Sequence, residues 1–427
     1  MSKLHITQEA LLQEITRFYL ESHDFNGISV SQLAARFGVT PSDLIDQLTA
    51  LIRRKLISVV FGDIYPNPHI RAFPDEPEES QIAKLSTPKL DHACAYPLSK
   101  HLEKVVDRRL YEGKPYTLSL ALGTPQLEFR AFDISVLEYY RNDPRYYYDN
   151  DDIRGSISVR SEYYETDQMA DSDQILLQTF GFCYDDDLNR AVAVFVRYLS
   201  DLSPEHQQIW KAKELEGTYH LHPDYYRNSI LGEWGEGISI FDAFLEEMRI
   251  INQMAEAMGR PQFFRQVFQE GEKPREFGFM VRPTLKEFND FVLLLDKMIS
   301  DNINLDFFQN EVPYEREEIR RDGKVIVRPK GTLSIMDDWI HRKYRTDDWK
   351  PIEEMLETFR DIRKKRQKPA HAVNENVFDQ KYFHEQRQLI IRAYQAVRTL
   401  RLMLGNHPRT KDVKIHEIIR DGKIWTY

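Results

Sequence analysis

Two long helical stripes near one end of the chain constrain its fold more than any other feature. The first covers Pro351–Gln367, with apolar residues at Ile352, Met355, Leu356, Phe359 and Ile362. The second runs Phe383, Gln386, Ile390, Ala393, Val397, Leu400 and Leu404, and Gly405, Asn406 and Pro408 end it. Spacings of three and four residues put each set on one helical face. Each stripe therefore predicts an amphipathic helix with one buried face. Arg366 is four after Ile362 and seven after Phe359, on or beside the inward face. Pro369 disfavours helix at Lys368 and can begin a new turn, which would put His371 in its first turn. Asn374 and Asn376 follow in the connection, and Asp379 can cap the second helix.

Charge sharpens this. The chain has 427 residues, 58 Lys/Arg and 68 Asp/Glu, a net charge of -10. Residues 351–409 hold 12 Lys/Arg and 7 Asp/Glu, a local charge of +5. A polyanionic partner should therefore meet this part. A chain of this length suggests two to four domains. With 12% aromatic residues it is not a disordered polymer. Cys94 and Cys183 have no partner at metal spacing and read as reduced thiols. The start, Met1-Ser-Lys-Leu-His-Ile, has no apolar signal core. The longest apolar runs, Ala191–Val196 and Phe291–Leu295, are too short for a bilayer. These features predict a cytoplasmic protein with no membrane contact.

Residues 1–73 predict a small helical domain. Leu11, Leu12, Ile15, Phe18 and Tyr19 mark a first helix, and Ser29–Gly38 a second ended by glycine. Thr40-Pro-Ser-Asp opens a third, striped by Leu44, Leu48 and Leu51, before a strand at Leu56–Phe61. The run of Leu-Ala, then Gly-Val-Thr, then leucines and a closing Leu-Ile resembles winged helix-turn-helix domains. That resemblance implies a DNA contact through the helix from Thr40, or a protein-contact module of the same shape. Asp43 and Asp46 at the start of that helix oppose phosphate, and Arg53, Arg54 and Lys55 come only at its end.

Residues 74–92, with Pro74, Pro77 and Pro88 among four acids, read as a linker. Residues 93–283 read as a central α+β region of no assigned fold. The spacing predicts helix at 98–110, strands at 116–122, 126–132, 156–164 and 174–183, and helices at 191–202, 204–213 and 241–258. Asn150–Asp152 and Asp185–Asp187 read as solvated acids rather than metal sites, since neither has the alternating ligands of a calcium loop. His220 and His222 read as loop residues with no third ligand. Gly232–Gly237 reads as a turn around a packed Trp234, because it lacks the Lys-Ser/Thr of a phosphate loop.

Residues 284–427 complete the chain. Thr284 and Glu287 form a capping box before a stripe of Leu285, Phe288, Phe291, Leu295 and Met298. Residues 315–333 predict a β-hairpin with Asp322-Gly323 as its turn. Residues 417–425 repeat its pattern, either as a second hairpin or as a strand joining a nearby sheet.

The segment Arg366-Gln-Lys-Pro-Ala-His371, between helical stripes, resembles the Arg-x(4–6)-His motif of the HEPN superfamily, whose members are helical bundles and often metal-independent RNases. The resemblance covers about 284–408. Gln367 departs from the Asn, Asp or His that often follows the arginine in that family. The fold class expected is therefore multidomain, α-rich α+β: an N-terminal winged helix, a central α+β region, and a C-terminal HEPN-like helical bundle with a hairpin. The resemblance implies an endoribonuclease that uses no metal or other cofactor, acts as a homodimer on RNA, and serves anti-phage defence, toxin–antitoxin systems or stress response. Arg366, His371 and Gln367 would be the catalytic group, and Arg363, Lys364, Lys365 and Lys368 would hold the RNA. Two alternatives stand beside this: a winged-helix DNA regulator whose bundle dimerises, and a non-catalytic HEPN-like interaction protein. Arg366 and His371 would then be structural, one satisfying a helix end and the other packing in a corner. Arg401 and His407 also fit the loose motif, but Arg401 reads as a core-helix residue snorkelling outward and His407 as a terminator.

Overall fold

The computed structural model describes residues 6–62, 69–71, 75–87, 90–269, 272–274, 276–319, 325–367 and 375–427. The chain is an α-rich α+β protein in two compact units, Met1–Gly235 and Glu236–Tyr427.

The first unit opens with α1 (Gln8–Glu21), whose Thr7 cap accepts a bond from the Ala10 amide. Then come β1 (Ile28–Ser29), α2 (Val30–Phe37), a single 3-10 turn at Pro41–Leu44, α3 (Ile45–Arg53) and β2 (Ile57–Phe61). Gly38, at φ 65°, ends α2 in the left-handed conformation that glycine adopts without cost. Leu11, Ile15, Leu33, Leu48, Leu51 and Ile57 are buried together. The residues expected as a linker differ from that reading. Glu78–Leu85 is a helix, α4, and beyond it Ala93–Pro97, expected to open the central region, is a strand, β3, lying between β1 and β2 in an antiparallel sheet. Two of the four acids that suggested a linker, Glu78 and Glu79, occupy the first turn of α4, where carboxylates suit the helix dipole. Gln81 of α4 accepts a bond from the Val59 amide at 2.9 Å, fixing the helix to β2.

The same unit continues with α5 (Ser99–Val105), α6 (Pro115–Ala121), β4 (Phe129–Phe132), α7 (Glu138–Arg141), β5 (Tyr146–Asn150), β6 (Arg154–Val159), β7 (Leu176–Tyr184), β8 (Arg190–Phe195), α8 (Val196–Ser200), α9 (Pro204–Lys211), β9 (His220–Leu221) and α10 (Pro223–Tyr226). Its antiparallel sheet has the order β4-β8-β7-β6-β5, with β9 added to β7. Two expectations fail here. The strand expected at 116–122 is α6, because Pro115 supplies a ready first turn. The helix expected at 191–202 begins as β8, whose continuous apolar run is buried at Ala191 through Phe195. A strand buried on both faces shows no period of two, so its sequence mimics a core helix.

The second unit is a helical bundle: β10 (Ile238–Ser239), α11 (Ile240–Ala257), α12 (Leu285–Ile299), β11 (Glu315–Ile319), β12 (Val325–Pro329), α13 (Thr332–Lys343), α14 (Lys350–Gln367), α15 (Lys381–Gly405), α16 (Glu417–Asp421) and β13 (Ile424–Trp425). Phe241, Phe244, Phe291, Trp339, Phe359 and Ile390 belong to its single core. The bundle begins well before 284, because α11 is amphipathic and packs its apolar face into that core. Thr284 caps α12 as expected, accepting from the Glu287 amide at 3.2 Å. Glu287 answers the Arg282 amide rather than that of Thr284, so the box is displaced. Strands β11 and β12 pair antiparallel with Glu317 opposite Val327. Their expected turn, Asp322-Gly323, lies outside the described residues. The tail is not a second hairpin. Gly422, at φ 70°, closes α16, and β13 then pairs in parallel with β10. Among the described residues no helix is long and apolar enough to cross a membrane.

Candidate active site at the end of α14

The stripe Ile352, Met355, Leu356, Phe359 and Ile362 is buried along α14, as its spacing requires. That register turns Arg366 toward the end of α12. Its Nη1 donates to Asp296 Oδ2 at 2.7 Å and also to Asp301 Oδ2. Asp296 is wholly buried, and the Arg366 side chain keeps 31% of its surface exposed. Hydrogen bonds from Asp296 and then Asp301 hold the guanidinium above its ordinary pKa, so it stays charged at any accessible pH. Arg363 stands one turn earlier with Nη1 3.7 Å from Asp301. Lys364 is exposed and Lys365 half-buried, and neither has a carboxylate partner among the described residues. Gln367 is exposed as the last residue of α14. His371 and Lys368 lie outside the described residues, as do Pro369 and Asn374.

The connection becomes describable again at Glu375. The Leu285 amide donates to Val377 O at 2.8 Å, and the Asp379 amide donates to Pro283 O at 2.9 Å. Asn376 Oδ1 accepts from the Lys286 amide at 3.0 Å. Asp379 accepts from the Lys381 amide at 3.0 Å at the start of α15. Residues 376–379, before α15, are therefore fastened to the start of α12, while Arg366 at the end of α14 is fastened to Asp296, farther along the same helix.

Asp296 and Asp301 were not singled out by sequence reasoning. A signal existed: Asp296 is four after Val292 and three before Ile299, both buried, so a carboxylate interrupts an apolar face. A buried acid calls for a charged or hydrogen-bonding partner. One of its oxygens, Oδ1, has no hydrogen-bond partner among the described residues.

The second Arg/His pair is structural. Arg401 does not snorkel outward; it is buried on α15, with Nη2 donating to Glu247 Oε1 on α11 at 3.2 Å. Burial raises the Glu247 pKa even though Arg401 opposes it. His407 accepts from the Arg409 amide at 3.3 Å and caps the following turn.

Other marked residues resolve as local structure. Asp185 accepts from the Asp187 and Asn189 amides in the β7–β8 turn. Asn150 accepts from the Asp152 amide in the β5–β6 turn. His220 is exposed and meets Asp186 at 3.3 Å, whereas His222 is buried and accepts from the Asp224 amide. No group of three or more His, Cys, Asp or Glu is placed to hold a metal among the described residues. Trp234 is not packed under the Gly232–Gly237 turn; it is 84% exposed. A Tyr140–His206–Asp173 chain imitates a catalytic triad, with Tyr140 OH 2.7 Å from Nδ1 and Asp173 3.1 Å from Nε2. His206 is fully buried, and Trp210 also donates to Tyr140 OH. Burial lowers the His206 pKa against the pull of Asp173, which suits a neutral structural imidazole.

At the start of the chain, Asp43 and Asp46 are exposed at the head of the third helical segment. Asp43 accepts from the Thr40 amide at 3.0 Å. Arg54 donates to Gln8, and Lys55 meets Glu78 at 3.1 Å. Compared with known protein families, curated proteins and solved structures, the chain gives no match.

Proposed function

We propose that the 236–427 bundle is a HEPN-type endoribonuclease that cleaves RNA without a metal, by attack of the ribose 2′-hydroxyl on the adjacent phosphate. The observation that carries this reading is Arg366, permanently charged, a third exposed, and anchored at the end of α14 by a buried aspartate. Arg366 would stabilise the charge of the pentacovalent phosphorane, its fork of donors matching phosphate oxygens. His371 would take the 2′-hydroxyl proton or protonate the leaving 5′-oxygen, a role worth roughly 10²–10⁴ in rate. Gln367 would orient one of the two. Arg363, Lys364, Lys365 and Lys368 would hold the strand. Asp296 would position Arg366, and Asp301 would share the guanidinium until phosphate displaces it. Two copies would bring two motifs together in a homodimer, in the cytoplasm, for anti-phage defence, toxin action or stress response.

The test is cleavage of a single-stranded RNA in EDTA by the full chain, followed on a gel. His371→Ala and Arg366→Ala should each lower the rate by about 10²-fold or more. Cleavage that continues unchanged in His371→Ala would falsify the assignment.

A second reading rests on residues 8–97. Their order of helix, strand, two helices, strand, helix and strand, with β3 between β1 and β2, supports a winged helix with α4 inserted between its last two strands. Such a module would bring a DNA or protein partner to the chain. The exposed acids at 43 and 46 and the intramolecular contacts of Arg54 and Lys55 favour the protein. Duplex binding whose salt slope flattens in Arg53→Glu/Arg54→Glu would favour DNA.

A further inference from the structure

Strand β4 is the edge of the large sheet in the first unit. The Val196 amide donates to Glu128 O at 2.9 Å, so the main chain at 128 faces β8. By alternation the groups of Arg130 and Phe132 face β8 too, and those of Phe129 and Ala131 face outward. The Leu215 amide takes Ala131 O at 2.8 Å, covering half of this edge. The covering chain then leaves at Gly217, whose φ of +127° suits only glycine. Phe129 is left with its N–H and C=O turned outward and no partner among the described residues.

The gap is a groove. Beside the edge lies a cavity of about 570 Å³, lined by Tyr116, Phe129, Arg130 and Tyr219. Phe129 and Tyr219 are also walls of a second cavity of about 870 Å³, floored by Leu127, Leu221, Tyr226 and Ile230. In the other direction Pro115 is shared with a third, about 480 Å³, bordered by three cations, Arg108, Arg109 and Lys114, and one acid, Glu112. Arg108 and Lys114 have no carboxylate partner among the described residues, whereas Arg130 is held by Glu128 and Glu214. The groove is thus cationic at one end, apolar at the other, with an open strand edge between.

We propose that this groove binds an extended peptide by strand addition to β4, with an apolar side chain in the 870 Å³ pocket and acidic side chains at Arg108 and Lys114. Main-chain pairing with Phe129 supplies sequence-independent affinity, and the two ends supply selectivity. Glu128, Glu214 and Glu233 in the walls oppose a nucleic-acid backbone, so the edge and its flanks match a polypeptide better. The proposal does not depend on the ribonuclease reading.

The probe is a fluorescein-labelled peptide of about ten residues, aspartates at one end and Val-Phe-Val at the other, made in both chain directions. Fluorescence anisotropy with the full chain should show saturable binding in one direction. N-methylation of alternate peptide nitrogens should weaken it at least about tenfold, because it removes strand donors and leaves the side chains. Arg108→Glu/Lys114→Glu and, separately, Leu231→Asp in the wall of the 870 Å³ pocket should each weaken it about tenfold; all three positions are at the surface or half exposed, so the fold survives. No saturation below about 1 mM, or equal binding of a scrambled or N-methylated peptide, would overturn the proposal. So would displacement of the peptide by a lower concentration of oligouridylate, which would assign the groove to single-stranded nucleic acid.

Discussion

At the scale of single residues, the buried charges of this chain separate into anchors and switches. Arg401 and Glu247 are an anchor between α15 and α11. Removing one partner strands the other without water, so Arg401→Met alone should cost about 3–5 kcal/mol in a urea titration. Arg401→Met/Glu247→Leu should recover most of that loss, because the cost lies in the uncompensated charge. His222 behaves differently. Burial first, then the charge of Arg190, pushes its pKa down from 6.5 to about 4, against Asp224. The unfolded chain therefore takes up a proton that the folded chain refuses. Stability contributed by neutral His222 is complete above pH 6.5 and is lost as pH falls through about 4. His222→Asn should flatten the fall in urea midpoint across that window, and a slope equal to that of the wild type would refute the assignment. Asp296 joins the anchors: under the ribonuclease proposal it positions Arg366, so Asp296→Asn should lower the rate of RNA cleavage while the dependence on substrate concentration stays nearly unchanged.

At the scale of elements, helices were more legible than strands, and the reason is physical. The stripes of α11, α12, α14 and α15 each show one apolar face, and the structure buries those faces in one core. The register that turns Arg366 inward was visible from Ile362 and Phe359 alone. What it turns toward was not, since Asp296 and Asp301 lie 70 and 65 residues away in sequence. Strand β8 was hidden because a strand buried on both sides loses its alternation. Helix α16 was hidden because Asp421-Gly422 is as good a helix stop as a hairpin turn. A contact invisible in sequence also explains one glycine. A Cβ on Gly181 of β7 would overlap the ring of Tyr225 on α10. Gly181→Ala should therefore destabilise the first unit by about 1–3 kcal/mol, read from the Trp210 fluorescence transition, despite the better strand propensity of alanine. Tyr225→Leu should relieve part of that loss.

At the scale of the whole molecule, the division at Gly235/Glu236 predicts two cooperative transitions rather than one. Glu311 offers a way to tell them apart. Its desolvation raises the carboxyl pKa, but hydrogen bonds from Lys343, Trp339 and Arg260 outweigh it and hold the value at about 2, against 4.5 unperturbed. The stabilisation is therefore complete above pH 4.5 and fades as pH falls toward 2. Glu311→Gln should lower only the calorimetric transition of residues 236–427 at neutral pH, and the difference from wild type should shrink in acid. A shift in both transitions would mean the units unfold as one. The parallel pairing of Ile238–Ser239 with Ile424–Trp425 has a consequence for how such a unit travels. Its first and last strands lie side by side but run the same way, so the chain enters at one end of a two-residue ladder and runs out at the other. Because that ladder is so short, a linker of a few residues running back along it should let the unit be joined end to end and reopened in a loop with its helices in place.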